Sequence, residues 1–95
     1  ATRHQRAWDM TRHRVGLQIS LLRTARGWSM EELSDLARVS GSVIAYLEAG
    51  DLEKASLPEL KRLAHAFDVV LIVDFEDFRQ FLPANYDQER AAGDR

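Results

Sequence analysis

We first consider the side chains of this 95-residue chain that could take part in catalysis or bind a metal. These are three histidines and one acidic cluster. His4, His13 and His65 do not have the spacing of metal ligands. The acidic cluster is explained by the dipole of a helix that begins there; it consists of Glu31, Glu32 and Asp35. The chain has no cysteine and no recognisable nucleophile arrangement or glycine-rich phosphate loop. We therefore expect no enzyme, no metal and no cofactor.

Arginine is concentrated at the amino end of the chain. Residues 1–26 carry six arginines against one aspartate, whereas the remainder has seven basic residues against fourteen acidic ones. A basic segment on an acidic body permits a polyanionic partner at one end of the molecule. A solvated basic tail with no partner would give the same charge pattern, so charge alone leaves both interpretations open.

The length and hydropathy of the chain fit one globular domain. Its longest uncharged apolar run, Val69 to Val73, is far shorter than the ~20 residues that cross a bilayer. The amino end has no apolar signal-peptide core. We expect a single soluble, cytoplasmic domain with no membrane contact.

A helical period begins at Val15. Residues 1–14 show no clear period, which predicts a basic amino-terminal arm that is mobile or forms the fraying start of a helix. The first helix ends before Gly27, where a left-handed capping residue is expected. Four positions have the spacing i, i+4, i+7 and i+11 that is typical of a helix; they are Val15, Ile19, Leu22 and Arg26.

Serine caps mark the starts of three further helices. Ser29 and Glu32 have the spacing of a capping box, as do Ser56 and Glu59. Ser40 is a good N-cap for the helix between them. Helices two and three are too short to be stable alone, so they must brace one another across a tight turn.

The period changes after the fourth helix. Asp68–Phe75 is rich in β-branched residues, and its odd-numbered apolar positions alternate with Val70, Ile72 and Asp74, which predicts a strand. A short amphipathic turn of helix should follow, and its apolar residues are Phe75, Phe78, Phe81 and Leu82. A polar tail, residues 83–95, should end the chain.

Four short helices with a tight turn between the second and third match the helix-turn-helix arrangement. Over residues 15–73 the chain resembles the lambda-repressor-like, Cro/C1-type (XRE) regulators. The resemblance rests on an ordered set: Val15-Gly16, Ile19, Leu22-Arg23, Arg26-Gly27-Trp28-Ser29, Glu32-Leu33, Ala37, Val39-Ser40, Ile44, Leu47-Glu48, Gly50, Leu57, Leu60 and Leu63-Ala64. It implies an all-α bundle of four to five helices, to which this chain adds one carboxy-terminal β-strand.

The resemblance also implies a function and a site. The chain should be a sequence-specific DNA-binding regulator, a repressor, with residues 15–67 as its DNA-binding domain. The helix that starts at Ser40 should enter the major groove of double-stranded DNA. The implied DNA contacts are Ser29, Met30, Arg38, Ser40, Gly41, Ser42, Val43, Ala45, Tyr46 and Lys54. Arg23 and Glu48 are implied as an ion pair between helix one and the end of helix three.

Three positions depart from the family pattern. Met30 and Gly41 stand where the family often has polar side chains that contact DNA. Arg38 stands where glycine is usual, so a left-handed backbone there would cost ~1 kcal/mol of strain. Without an Arg–guanine or Gln–adenine pair, direct readout of bases is limited. The alternative to a DNA-reading role is that helix three is simply a core helix of a small bundle.

The strand needs a partner, because an unpaired apolar strand invites aggregation. Pairing with the same strand of a second copy would make a homodimer; pairing with the amino-terminal arm of the same chain is the alternative. Residues 68–82 are therefore predicted as the dimerisation segment, and the residues involved are Val69, Val70, Leu71, Ile72, Val73, Phe75, Phe78 and Phe81.

A second function from another class remains open. The acidic tails and the apolar turn near Phe75 also suit a protein-binding module, such as the antitoxin of a toxin–antitoxin pair. Antitoxins of this type bind both DNA and a toxin, so the two hypotheses overlap.

Overall fold

The computed structural model describes residues 2–81 and is helical throughout its regular structure. In chain order it contains α1 (Arg3–Ala25), α2 (Met30–Ala37), α3 (Gly41–Glu48), a 3₁₀ turn (Leu52–Lys54), α4 (Leu57–Phe67) and α5 (Phe78–Phe81). No strand occurs among residues 2–81. The all-α helix-turn-helix bundle predicted from the sequence is confirmed.

The first helix begins at Arg3, not at Val15, so of the two interpretations of the amino-terminal segment the start of a helix agrees with the structure and a mobile arm does not. The hydroxyl of Thr2 caps the helix by accepting the N–H of Gln5 at 3.0 Å. A salt bridge within the helix joins Arg12 Nε to Asp9 Oδ1 at 3.0 Å. The amino-terminal half of α1 is mostly exposed, which explains why its sequence shows no apolar period.

Eight buried apolar side chains join α1, α2, α3 and α4 into one core. Ile44 of α3 and Leu33 of α2 have no exposed surface, and Leu47 is 1% exposed. Ala37 of α2, a small residue, is 4% exposed. The full set is Ile19, Leu33, Ala37, Val39, Ile44, Leu47, Leu63 and Phe67.

Predicted caps fix the ends of the helices. The capping boxes of α2 and α4 both form, and the Ser40 hydroxyl accepts the N–H of Val43 at the start of α3. Gly27 follows the end of α1 with φ 71°, a left-handed conformation that glycine adopts without steric cost. These contacts lie within a few residues of each other, so the local sequence specifies them.

The predicted strand does not form in the single chain: residues 69–77 have no regular structure. A strand requires hydrogen bonds to a neighbouring strand, and residues 2–81 supply none. The exposure of this segment still alternates: Leu71 is 36% exposed, whereas Val70 and Ile72 are 82% and 78% exposed. Phe75 is 98% exposed. The segment therefore has one side towards α4 and a free apolar side.

The short helix predicted near the carboxyl end is α5, which contacts the start of α1. The Phe78 ring lies 4.0 Å from the guanidinium carbon of Arg3 and 5.0 Å from the ring of His4. The alternative predicted above, pairing of the strand with the amino-terminal arm, is not seen, because residues 69–77 have no regular structure and this contact joins side chains of α5 and α1. Phe81 ends α5. Leu82 and the predicted polar tail, residues 83–95, lie outside the described residues.

Candidate nucleic-acid interface

A capping box with two reciprocal hydrogen bonds marks the start of α2. Ser29 Oγ accepts the N–H of Glu32 at 3.0 Å, and Glu32 Oε1 accepts the N–H of Ser29 at 3.1 Å. Ser29 is exposed, in the position expected for a contact to a phosphate. Met30 is different, since it is half-buried and packs against the hydrophobic core. The apolar side chain at position 30 therefore has a structural role.

The turn between α2 and α3 has a left-handed residue at its centre. Arg38 has φ 57° and ψ 44°, as predicted from its place where glycine is usual. Its N–H donates to the Ser34 carbonyl at 2.8 Å, and the Ser34 hydroxyl donates to the Val39 carbonyl at 2.6 Å. These hydrogen bonds hold a conformation that costs about 1 kcal/mol for a residue with a Cβ. The Arg38 side chain stays exposed.

One face of α3 is buried and the opposite face is free. Ile44 and Leu47 point into the core, while Ser42, Ala45 and Tyr46 are exposed. The helix is therefore not a wholly buried core helix within residues 2–81. Gly41 and Val43 are half-buried, and Val43 packs partly on the core. Ser40 is exposed, with its hydroxyl oxygen 3.2 Å from that of Ser42.

A comparison with models of protein families identifies the family that has this arrangement of helices. The helix-turn-helix model HTH_3, of the Cro/C1-type (XRE) family, matches residues 19–71, which is more than half of the chain. The chain belongs to this XRE family. Its members are DNA-binding transcription regulators, and the domain is generally not enzymatic. No curated protein and no solved structure matches the chain.

An ion pair fixes the XRE fold at the end of α3. Arg23 Nε donates to Glu48 Oε2 at 2.7 Å and Arg23 Nη2 donates to Oε1 at 2.9 Å, so the pair is bidentate. Arg23 Nη1 also donates to the Trp28 carbonyl at 2.8 Å. The hydrogen bond to Glu48 raises the pKa of Arg23, so the guanidinium stays charged at every ordinary pH. The arginine thereby connects α1, the start of α2 and α3.

The 3₁₀ turn after α3 brings a lysine to the exposed face of that helix. Lys54 Nζ lies 5.6 Å from the centroid of the Tyr46 ring. Both side chains are exposed, and a cation over an aromatic ring is attracted by the electron density of its face. The sequence placed these two residues in one site, and the structure brings them into contact.

A contact at the far end of α3 was missed by the sequence analysis. Arg12 Nη1 donates to the carbonyl of Gly50 at 3.1 Å, which ties the amino-terminal half of α1 to the end of α3. Gly50 has φ 90°, a positive value that is common for the glycine just after the end of a helix. The last carbonyls of a helix need donors from elsewhere, but nothing in the sequence indicates which arginine provides one.

Two kinds of site are absent from the described part of the chain. Residues 2–81 contain no group of three or more histidine, aspartate and glutamate side chains placed to hold a metal ion. Among the helices of the same range, none combines the length and the apolar character needed to span a bilayer.

Proposed function

We propose that this XRE protein is a repressor that binds operator DNA as a homodimer, with α3 in the major groove. The observation that carries the proposal is the free face of α3. Ile44 and Leu47 anchor the helix in the core, and the opposite side presents Ser42, Ala45 and Tyr46 to solvent. A helix held in this way enters a major groove without disturbing the core.

The side chains on this face determine how DNA is read. None of the exposed α3 residues is an arginine, lysine, glutamine or asparagine, so no bidentate contact to a purine is available. Hydroxyls of Ser40 and Ser42 suit phosphate oxygens or base edges, and Val43 offers a methyl surface to thymine. Ser29, Arg38 and Lys54 suit the phosphate backbone. Specificity then depends strongly on half-site spacing and DNA shape.

The homodimer is proposed to form through residues 69–75. Val70, Ile72 and Phe75 are exposed apolar side chains on a segment with unpaired backbone groups. Pairing with the same segment of a second copy would satisfy the backbone and cover the side chains. Two recognition helices would then lie about 34 Å apart on one face of the duplex. Occupation of a promoter would repress transcription by excluding polymerase.

A protein partner is the second candidate, and the same exposed segment favours it. A toxin-like protein that covers Val70, Ile72 and Phe75 would be neutralised while α3 remains free for DNA. Co-expression with the product of an adjacent gene, followed by measurement of the mass of the complex, tests this function.

The test of the main proposal is a mobility-shift titration on the DNA that flanks the protein's own gene, at two salt concentrations, with a shuffled sequence as control. We expect tighter binding to the flanking DNA and weaker binding at the higher salt concentration. Equal binding to both sequences, or none, would contradict the proposal. Sedimentation equilibrium of the free protein tests the homodimer separately.

A further inference from the structure

An open groove lies between α2 and α4, and cationic side chains line its rim. Its volume is about 560 Å³. The apolar floor includes Leu36, a large side chain that is 57% exposed. None of the salt bridges within residues 2–81 involves Arg38 or Lys61. The remaining lining residues are Ala37, Pro58, Arg62 and His65.

A segment of the same sequence has the complementary chemistry. Asp74, Phe75 and Glu76 place one aromatic ring between two carboxylates, and all three are exposed. Phe75 is the most exposed of the large apolar side chains in residues 2–79, at 98%. An aromatic side chain suits an apolar floor, and flanking carboxylates suit a cationic rim.

Within one chain this segment is held away from the groove. The residues before it, Val69, Leu71 and Val73, line a second shallow groove on α4 together with Leu57. The residue Phe78 after it lies against Arg3 at the start of α1. Phe75 projects into solvent between these two attachments, so its own groove is not its binding site.

We propose that the Asp74–Glu76 segment of a second copy occupies the groove between α2 and α4, with Phe75 on Leu36 and Glu76 beside Lys61. This inference rests on the proposed homodimer. In an antiparallel pair, the carboxyl end of one strand lies beside the amino end of the other. Residues 74–76 of one copy therefore pass the carboxyl end of α4 of the other copy. His65, near that end, and Lys61, one turn earlier in α4, border both grooves.

A charge-swap experiment tests the contact. Lys61→Glu and Glu76→Lys should each weaken the homodimer about tenfold, because a two-fold dimer contains the contact twice and each variant brings like charges together. A mixture of the two variants should form a heterodimer tighter than either variant homodimer. Phe75→Ser should weaken association at least about tenfold through lost apolar burial. Sedimentation equilibrium gives the constants, and native mass spectrometry identifies the heterodimer.

Arg14→Glu is the matched control, since Arg14 is an exposed residue of α1 and undergoes the same change of charge. It should leave the dimer constant unchanged. Circular dichroism verifies that each variant is folded.

The outcomes separate the two proposals. A wild-type protein that stays monomeric at all concentrations overturns the homodimer and this contact together. A stable dimer that is insensitive to Lys61→Glu, Glu76→Lys and Phe75→Ser overturns the contact alone. If Lys61→Glu weakens DNA binding but not the dimer, the groove is a phosphate contact and the inference is wrong.

Discussion

Gly16 of α1 packs directly against the backbone of Leu47 in α3. A Cβ atom at position 16 would overlap the Leu47 carbonyl oxygen, closer than real Cβ atoms approach other atoms. The obstructing atom is backbone, which a rotamer change cannot move. The distance between α1 and α3 is therefore set by the absence of a side chain at Gly16.

Gly16→Ala should destabilise the fold by about 1–3 kcal/mol, the usual cost of overpacking a core. It should also weaken DNA binding, because α3 must shift to make room. Gly41→Ala is the control, since a Cβ at Gly41 meets nothing within 4 Å. Urea denaturation of both variants measures the difference. Equal stabilities would show that the α1–α3 contact is not tight.

Glu48→Gln should lower the free energy of unfolding by about 3 kcal/mol, because it leaves the Arg23 guanidinium with little solvent and no carboxylate. The side chains of Arg23 and Glu48 are 15% and 8% exposed, which favours the behaviour of a buried pair. Glu31→Gln, at an exposed position of α2, is the control. A loss under ~1 kcal/mol in urea denaturation would mean that the pair behaves as a surface salt bridge.

Ser42→Glu should abolish DNA binding and leave the melting temperature nearly unchanged. The Ser42 side chain is exposed on α3, so a carboxylate at this position should be repelled by the DNA phosphates and should not disturb the core. Gln18→Glu, on the exposed face of α1, adds the same charge and should retain binding. Mobility shift and thermal melting of both variants make the comparison. Unfolding of Ser42→Glu would show that α3 faces inward.

Arg38→Gly should stabilise the fold by about 1 kcal/mol, because it removes the cost of a left-handed backbone at a residue with a Cβ. The same variant should weaken DNA binding if Arg38 contacts phosphate as proposed. Asp68→Gly is the matched control, since Asp68 also has a positive φ, 58°, but lies at the end of α4. Its DNA binding should not change. Retained affinity in Arg38→Gly would remove Arg38 from the interface.

Glu59 should contribute to the loss of stability in acid. Hydrogen bonds from the backbone and hydroxyl of Ser56, aided by the charge of Arg62, lower the pKa of Glu59 in the folded state. A lowered folded pKa gives stability that is present above the unfolded pKa and is lost as pH falls through the folded value. Glu59→Gln should therefore be less stable than wild type near neutral pH, and the gap should close in acid. Urea midpoints at several pH values measure the gap; a constant gap would contradict the assignment.

The sequence by itself determined the starts of α2, α3 and α4 and the residues of the core. The caps at Ser29, Ser40 and Ser56 are made within three residues along the chain, so no distant contact is needed to specify them. The apolar period indicates most of the buried positions of α2, α3 and α4, but Leu36 and Leu57 share that period and are 57% and 53% exposed. The left-handed turn at Arg38 was implied by the resemblance, because Arg38 stands where the family usually has glycine.

Only the tertiary structure decided how the amino-terminal half of α1 is held, how Met30 is used and what happens to residues 69–77. The amino-terminal half of α1 carries no apolar stripe, and it is tied to the bundle through the distant contact of Arg12 with Gly50. Met30 packs on a core that is assembled from several helices. A strand over residues 69–75 requires hydrogen bonds from a second strand, and a pattern of side chains cannot specify where that strand comes from.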